Sequence, residues 1–270
     1  MKHHDKIKPY RFRAASSGAL TDAGKLIGGD VACPRNVLLR DHGIQEPHDP
    51  AAEWDVRAQI TFGIGFANEE IFEKRLVAKE TMYVREKFIC TDLSDQVEFA
   101  GSMDFYLPEH DDVYELKMVS STRRFKETFV DGKVKDGHAC QLLNYMIETE
   151  PRRGILRYTN CVYHKTANWK AEPTVKSFVF NILEDGTILK DKEPFHISVA
   201  DILAHRDLVV HCLENQEVWY NRPADDGFFS PCTFCFWNKA CEKWDNKGIN
   251  KTEDFLQECR ALCNERLEGK

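Results

Sequence analysis

The chain has 270 residues and is 42% hydrophobic, enough for one large core or one core with a small appendage. Its net charge of −7 argues against a protein that coats nucleic acid, but leaves room for an enzyme that grips an anion through local basic patches. No apolar run approaches a membrane span, and ten cysteines behind a polar, basic Met1–Arg13 predict a reducing, cytoplasmic setting rather than a disulfide framework.

Residues 1–28 read as a polar lead-in and residues 29–270 as a single domain without internal repeats. Asp30 to Arg40 reads as a short helix carrying Cys33. Glu46-Pro-His-Asp-Pro50 then breaks the chain. Glu53 to Lys79 reads as a long helix, with Phe62, Phe66, Ile71 and Phe72 as its apolar face. Strands are predicted over 82–91, 97–107 and 112–119, followed by a helix over 137–149. Further strands are predicted over 153–165 and 174–182, and helices over 199–219 and 252–267 on either side of a cysteine-rich loop. This order predicts an α/β fold, a central mixed sheet flanked by helices.

The chemistry concentrates around one predicted hairpin. Pro108-Glu-His-Asp111 is an acidic turn between two strand-like runs. Equal steps back from it pair Leu107 with Asp112 and Tyr106 with Val113, which sets Asp104 opposite Glu115. Paired residues share a sheet face, and Lys117 joins Glu115 there by the two-residue period. Two carboxylates can hold a hard divalent cation, with the Leu116 carbonyl as a further ligand. Lys117 would orient an attacking water or stabilise transition-state charge. A Glu-x-Lys triplet alone equally describes a solvated, salt-bridged strand.

Its context decides between these. The order Gly101-Ser-Met-Asp104, acidic turn, Glu115-Leu-Lys117 resembles the PD-(D/E)XK nuclease superfamily. Gln141-Leu-Leu-Asn-Tyr145 on the following helix resembles the Gln-x-x-x-Tyr element of its RecB-type branch. The resemblance implies a restriction-endonuclease-like core, Mg²⁺ or Mn²⁺, and hydrolysis of DNA phosphodiester bonds. It further implies that Asp104 and Glu115 ligate metal, Lys117 assists catalysis, and Gln141 and Tyr145 position DNA. The family places Gly-x-x-x-His on the first long helix. Here Gly65-Phe-Ala-Asn-Glu69 sets Glu69 at the His position, beside Asn68. A carboxylate there is a harder ligand than imidazole, so Glu69 is expected to complete the metal site.

Cys232-Thr-Phe-Cys235 and Cys241 form C-x-x-C-x5-C, and Cys33 offers a distant fourth thiolate. Four thiolates suit either zinc or an iron–sulphur cluster. Phe234, Phe236, Trp237 and Trp244 would shield either one. The split arrangement is similar to that of CRISPR-associated RecB-like exonucleases and their phage relatives. That similarity implies a [4Fe–4S] cluster joining the N- and C-terminal segments. Cys90, Cys161 and Cys212 read as small core hydrophobes, and Cys259 with Cys263 as a buried helical stripe.

Arg123, Arg124, Lys126, Lys133 and Lys135, with Phe125 and Phe129 between them, suit a path for single-stranded DNA or DNA ends. Arg152 and Arg153 add to that basic character. The expectation is a metal-dependent DNA exonuclease, with DNA as partner and no membrane. The alternatives are an adaptor that keeps the fold and hydrolyses weakly, and a zinc-stapled regulatory domain. Intact Asp104, Glu115 and Lys117 favour the enzyme.

Overall fold

The structure, a computed structural model, describes residues 10–13, 39, 42–44, 56–119, 121–161, 175–217, 240–242 and 252–267. The first half of the chain supplies β1 (Tyr10–Arg13), α1 (Val56–Ala78), β2 (Val84–Asp92), β3 (Val97–Leu107) and β4 (Asp112–Val119). Next come α2 (Thr122–Phe125), a π-helical turn (Lys126–Val130), α3 (Asp136–Thr149) and β5 (Arg153–Asn160). The remainder is β6 (Val175–Ile182), β7 (Ile188–Lys190), β8 (Glu193–Pro194), α4 (Val199–Asn215) and α5 (Thr252–Leu267). Strand β1 falls inside the stretch read as a polar lead-in, and the predicted helix around Cys33 lies outside the described residues. No helix among the described residues is long and apolar enough to cross a membrane.

The strands hydrogen-bond in the order β1-β3-β4-β5-β6-β7-β8, and β2 also pairs with β3. Parallel pairs (β1–β3, β4–β5) alternate with antiparallel ones (β3–β4, β5–β6), so the sheet is mixed as expected. The parallel β4–β5 pair needs a crossover, and α3 is that crossover. Two compact units partition the chain. One comprises Met1–Ala51, Cys90–Ala100 and Asp201–Lys270, and the other Ala52–Ile89 and Gly101–Ala200.

In the second unit the two sheet faces are covered by different helices. Phe105, Leu107 and Leu116 pack with Phe72 and Leu76 of α1. The alternate residues, among them Glu115, point to the opposite face by the strand period. There Gly154 of β5 lies so close to Leu142 and Met146 of α3 that a Cβ would collide with them. Helix α1 departs from expectation on two residues: Phe66 and Ile71, read on its apolar face, are 58% and 54% exposed, and the buried pair is Phe72 and Leu76.

In the first unit Leu39, Ile44, Ala240, Cys241, Phe255, Leu256 and Cys259 form a separate apolar cluster. Cys259 is buried and Cys263 packs against the cluster, as the helical stripe predicts. Cys161, read as a core residue, is exposed.

The acidic turn has a structural use for its last residue. Asp111 adopts φ 54°, a left-handed conformation that aspartate tolerates. Its carboxylate accepts from the Tyr106 hydroxyl at 3.0 Å and the Arg152 N–H at 2.9 Å. Asp112 is buried and receives a two-pronged bond from Arg153, Nε at 2.8 Å and Nη2 at 2.6 Å. Arg153, predicted as part of the basic surface, is therefore a strut between the first residues of β4 and β5. Replacing it by Ala leaves a buried carboxylate without its partner and should cost about 2 kcal/mol, with Arg153→Lys intermediate because it lacks the fork. Urea unfolding of the two variants checks both magnitude and order.

Candidate active site

The β3–β4 ladder runs Leu107–Asp112, Tyr106–Val113 and Phe105–Tyr114, in the predicted register, and ends there. Beyond it Asp104 uses its side chain: Oδ2 accepts the Leu116 N–H at 2.6 Å. Leu116 thus meets Asp104 through its N–H. Glu115 is 0% exposed, and its Oε1 accepts from Lys117 Nζ at 2.5 Å. Its other oxygen, Oε2, is buried without a hydrogen-bond partner among the described residues.

Helix α1 brings Glu69 near enough to Asp104 for the two charges to oppose each other. Asn68 turns away: its Oδ1 accepts from Thr159 Oγ1 at 2.7 Å, tying the helix to β5. Glu69 Oε2 is 3.0 Å from Arg85 Nη2 on β2, and Arg85 Nη1 is 2.9 Å from Glu73 Oε2. Nothing in the motif spacing marks Arg85. The one available signal was the pair Glu69 and Glu73, one turn apart on α1, which invites a shared cation.

Charge is concentrated here. Burial raises the Glu115 carboxyl to about 8, with the Asp104 charge adding to the effect and Lys117 opposing it. Burial likewise raises Asp104 against the pull of Lys117 and the Leu116 N–H. Glu69 is raised by burial and by Asp104, and lowered by Arg85. For Lys117, burial works against the ammonium, but Glu115 and Asp104 outweigh it and raise its pKa. Lys117 is therefore a charged ammonium in a carboxylate-rich pocket.

Among the described residues no three acidic, His or Cys side chains surround one point as ready ligands. Each carboxylate instead has a substitute partner: Arg85 for Glu69, the Leu116 N–H for Asp104, and Lys117 for Glu115. The donor set nevertheless fits a hard divalent cation. Three carboxylates disfavour one another's charge, and one buried Glu115 oxygen lacks any donor.

Gln141 and Tyr145 meet on α3, with Gln141 Nε2 donating to the Tyr145 hydroxyl at 3.2 Å. Tyr145 is 1% exposed, so its phenol is packed inside rather than presented to a nucleic acid. Its ring lies flush on Gly101, where a Cβ would stand 2.5 Å from Cε1. The hydroxyl also receives the Ser102 N–H. The phenol therefore props the segment of β3 that carries Asp104. Gln141 Oε1 is buried and without a hydrogen-bond partner among the described residues.

The predicted stacking platform is absent at the aromatics named for it. Phe125 and Phe129 are buried and stacked on each other, centroids 5.1 Å apart, across the π-helical turn. Arg123 and Arg124 both contact Glu127, at 2.8 and 3.1 Å, and Lys126 and Lys133 remain exposed. Of the four cysteines of the predicted clasp, Cys33, Cys232 and Cys235 lie outside the described residues, and Cys241 is buried.

The raised Glu115 pKa has a thermodynamic consequence. A carboxyl lifted from 4.5 to about 8 stabilises the fold fully below its unfolded value, and that contribution is lost as pH rises through the folded value. In a chelator, the melting temperature should therefore fall between about pH 5 and pH 9. Glu115→Gln, which cannot titrate, should flatten that fall, and saturating Mn²⁺ should flatten it in the unaltered protein. Parallel profiles for the two proteins in chelator would contradict the assignment.

No family model and no curated protein matches the chain. Among solved structures it is similar to SSO0001, with TM-score 0.48 and 15% identity over 89% of this chain and 88% of the other. It is also similar to an alkaline exonuclease (LHK-Exo) from Laribacter hongkongensis, at TM-score 0.42 and 13% identity over 67% and 77% of the two chains. A phage related exonuclease from Haemophilus somnus 129PT aligns at TM-score 0.34 and 11% identity, over 64% of this chain and 91% of that one.

Proposed function

We propose that this chain is a Mg²⁺- or Mn²⁺-dependent DNA exonuclease of the PD-(D/E)XK superfamily, RecB type. The observation that supports the reading is the pair of carboxylates Asp104 and Glu115 beside the Lys117 ammonium, with Glu69 near enough for its charge to act on them and one buried Glu115 oxygen without a hydrogen-bond partner among the described residues. A purely structural salt bridge would not need further carboxylates whose charges oppose that of Glu115.

In this reading Asp104, Glu115 and Glu69 hold the cation. When bound, the cation polarises the phosphate and acidifies the attacking water. Lys117, kept protonated by its acidic neighbours, orients that water and stabilises charge developing on the phosphate oxygens. Tyr145 acts at one remove, by supporting the Gly101–Ser102 segment ahead of Asp104. Gln141 is the member of that pair with bonding capacity left for substrate. Exposed Lys126 and Lys133 serve the phosphate backbone, and nothing in the site reads base sequence.

Glu115→Ala or Asp104→Ala should lower Mn²⁺-dependent cleavage of end-labelled DNA by roughly a hundredfold or more. Lys117→Ala should lose rate while retaining Mn²⁺ binding, because an ammonium is not a ligand. Release of mononucleotides from linear but not circular single strands identifies the exonuclease. Cleavage that survives in either carboxylate variant would sink the assignment.

The same reading includes a [4Fe–4S] cluster on Cys33, Cys232, Cys235 and Cys241. Its support is the C-x-x-C-x5-C spacing together with the apolar surroundings of Cys241, which include Phe255, Leu256 and Cys259. Such surroundings keep water from thiolate ligands. Anaerobically purified protein should be brown and carry about four irons, and Cys241→Ala should bleach it. Colourless protein holding one tight zinc would replace this cluster with the zinc alternative.

A further inference from the structure

The unit that carries the site contains a second cation that the mechanism above does not use. Arg85 reaches from β2 to two carboxylates one helical turn apart on α1, with Nη2 3.0 Å from Glu69 and Nη1 2.9 Å from Glu73. Glu73 is itself fixed by the Tyr83 hydroxyl, at 2.8 Å, so this end of the bridge does not depend on Glu69. The guanidinium is 27% exposed and lies over the Phe105 ring at 6.0 Å, while its Nε is 4.0 Å from Glu86. Arginine cannot relieve crowding by deprotonating, so its charge stays wherever the side chain stays.

Two positive charges therefore offset the acidic centre, and they differ in kind. Lys117 sits on the same strand as its partner Glu115, two residues away. Arg85 holds Glu69 from a different element, through a single 3.0 Å contact, and has a second anchor to fall back on. A divalent cation approaching Glu69 meets both a competitor for that carboxylate and a repelling charge.

We propose that Arg85, anchored by Glu73, is the resident counter-ion of Glu69 and is displaced from it when a divalent cation loads, so that Arg85 sets the affinity of the centre for its cation. The proposal rests on the metal-centre reading given above. Arg85 is a positioning residue in this scheme, acting through Glu69.

Mn²⁺ titration without DNA tests it, with free Mn²⁺ followed by electron paramagnetic resonance. Arg85→Gln should bind Mn²⁺ roughly three- to tenfold more tightly than the unaltered protein, the scale of a partly buried ion pair removed as competitor. Arg85→Lys should fall between, keeping the charge but losing the fork. Arg85→Gln should also melt lower in chelator and gain more in melting temperature from a fixed Mn²⁺ concentration, because tighter binding stabilises more. Glu115→Gln is the control and should weaken Mn²⁺ binding. If Glu115→Gln weakens binding while Arg85→Gln leaves it unchanged or weaker, the counter-ion role is overturned and the metal centre stands. If Glu115→Gln binds Mn²⁺ as the unaltered protein does, the metal centre itself fails, and this proposal fails with it. Should Arg85→Gln not fold without metal, Arg85→Lys decides: tighter binding supports the proposal, and equal or weaker binding overturns it.

Discussion

The bond from the Leu116 N–H to the Asp104 carboxylate is the contact on which the site depends. A backbone N–H inside a sheet must find an acceptor, and the obvious one is the neighbouring strand. Here the β3–β4 ladder ends at Phe105–Tyr114, and a side chain accepts in its place at 2.6 Å. The substitution lets the two strands part without stranding a buried donor. Gly101 and Ser102, freed from the ladder with β4, can then meet the Tyr145 phenol closely enough that only glycine fits at 101. The carboxylate that closes the gap is also one of the three in the proposed metal site. Its Oδ2 carries the structural duty, which in that proposal leaves Oδ1 for the cation.

That arrangement is costly for the metal-free chain. Glu115 is fully buried, and its carboxyl is raised by burial and by Asp104 despite the Lys117 ammonium beside it. Replacing a buried ion pair with well-packed apolar residues is often neutral or stabilising. The acidic cluster is therefore poor evidence of selection for stability and better evidence of selection for binding. Basic partners on two different elements moderate the cost, Lys117 from within β4 and Arg85 from β2. Their unlike attachments suit the roles proposed for them, Lys117 in the chemistry and Arg85 as competitor for the cation.

What was legible in the sequence follows the range of the forces involved. The Leu107–Asp112 and Tyr106–Val113 pairs were readable because a turn and a two-residue period fix register locally. The bounds of β3 and β4 were readable for the same reason. The Arg85–Glu69–Glu73 bridge was not, since it joins residues from two elements that no spacing relates. Phe125 and Phe129 show the other failure. Aromatics among cations can stack bases or stack on each other, and composition is identical in both cases. On α1 the helical period was right, but its weak amphipathicity hid which residues face the sheet, so Phe66 and Ile71 were read on its apolar face. Strands β1, β7 and β8 are too short to carry an alternation pattern.

Gln141 and Tyr145 show how a spacing motif can be right about neighbours and incomplete about roles. Helical period put them on one face, and they do meet, at 3.2 Å. The phenol, however, is occupied: it receives the Gln141 amide and the Ser102 N–H, and it is buried against Gly101. In this arrangement the spare group is Gln141 Oε1, an acceptor, which suits water or a base N–H but not a phosphate oxygen. A half-turn of the amide would let the phenol donate to Oε1 and would put Nε2 in the buried position that Oε1 now occupies. Both arrangements keep the helix tied to β3, and the second also satisfies the phenol's own proton. The pair can thus hold the strand in either orientation of the amide, without moving Asp104 or Glu115.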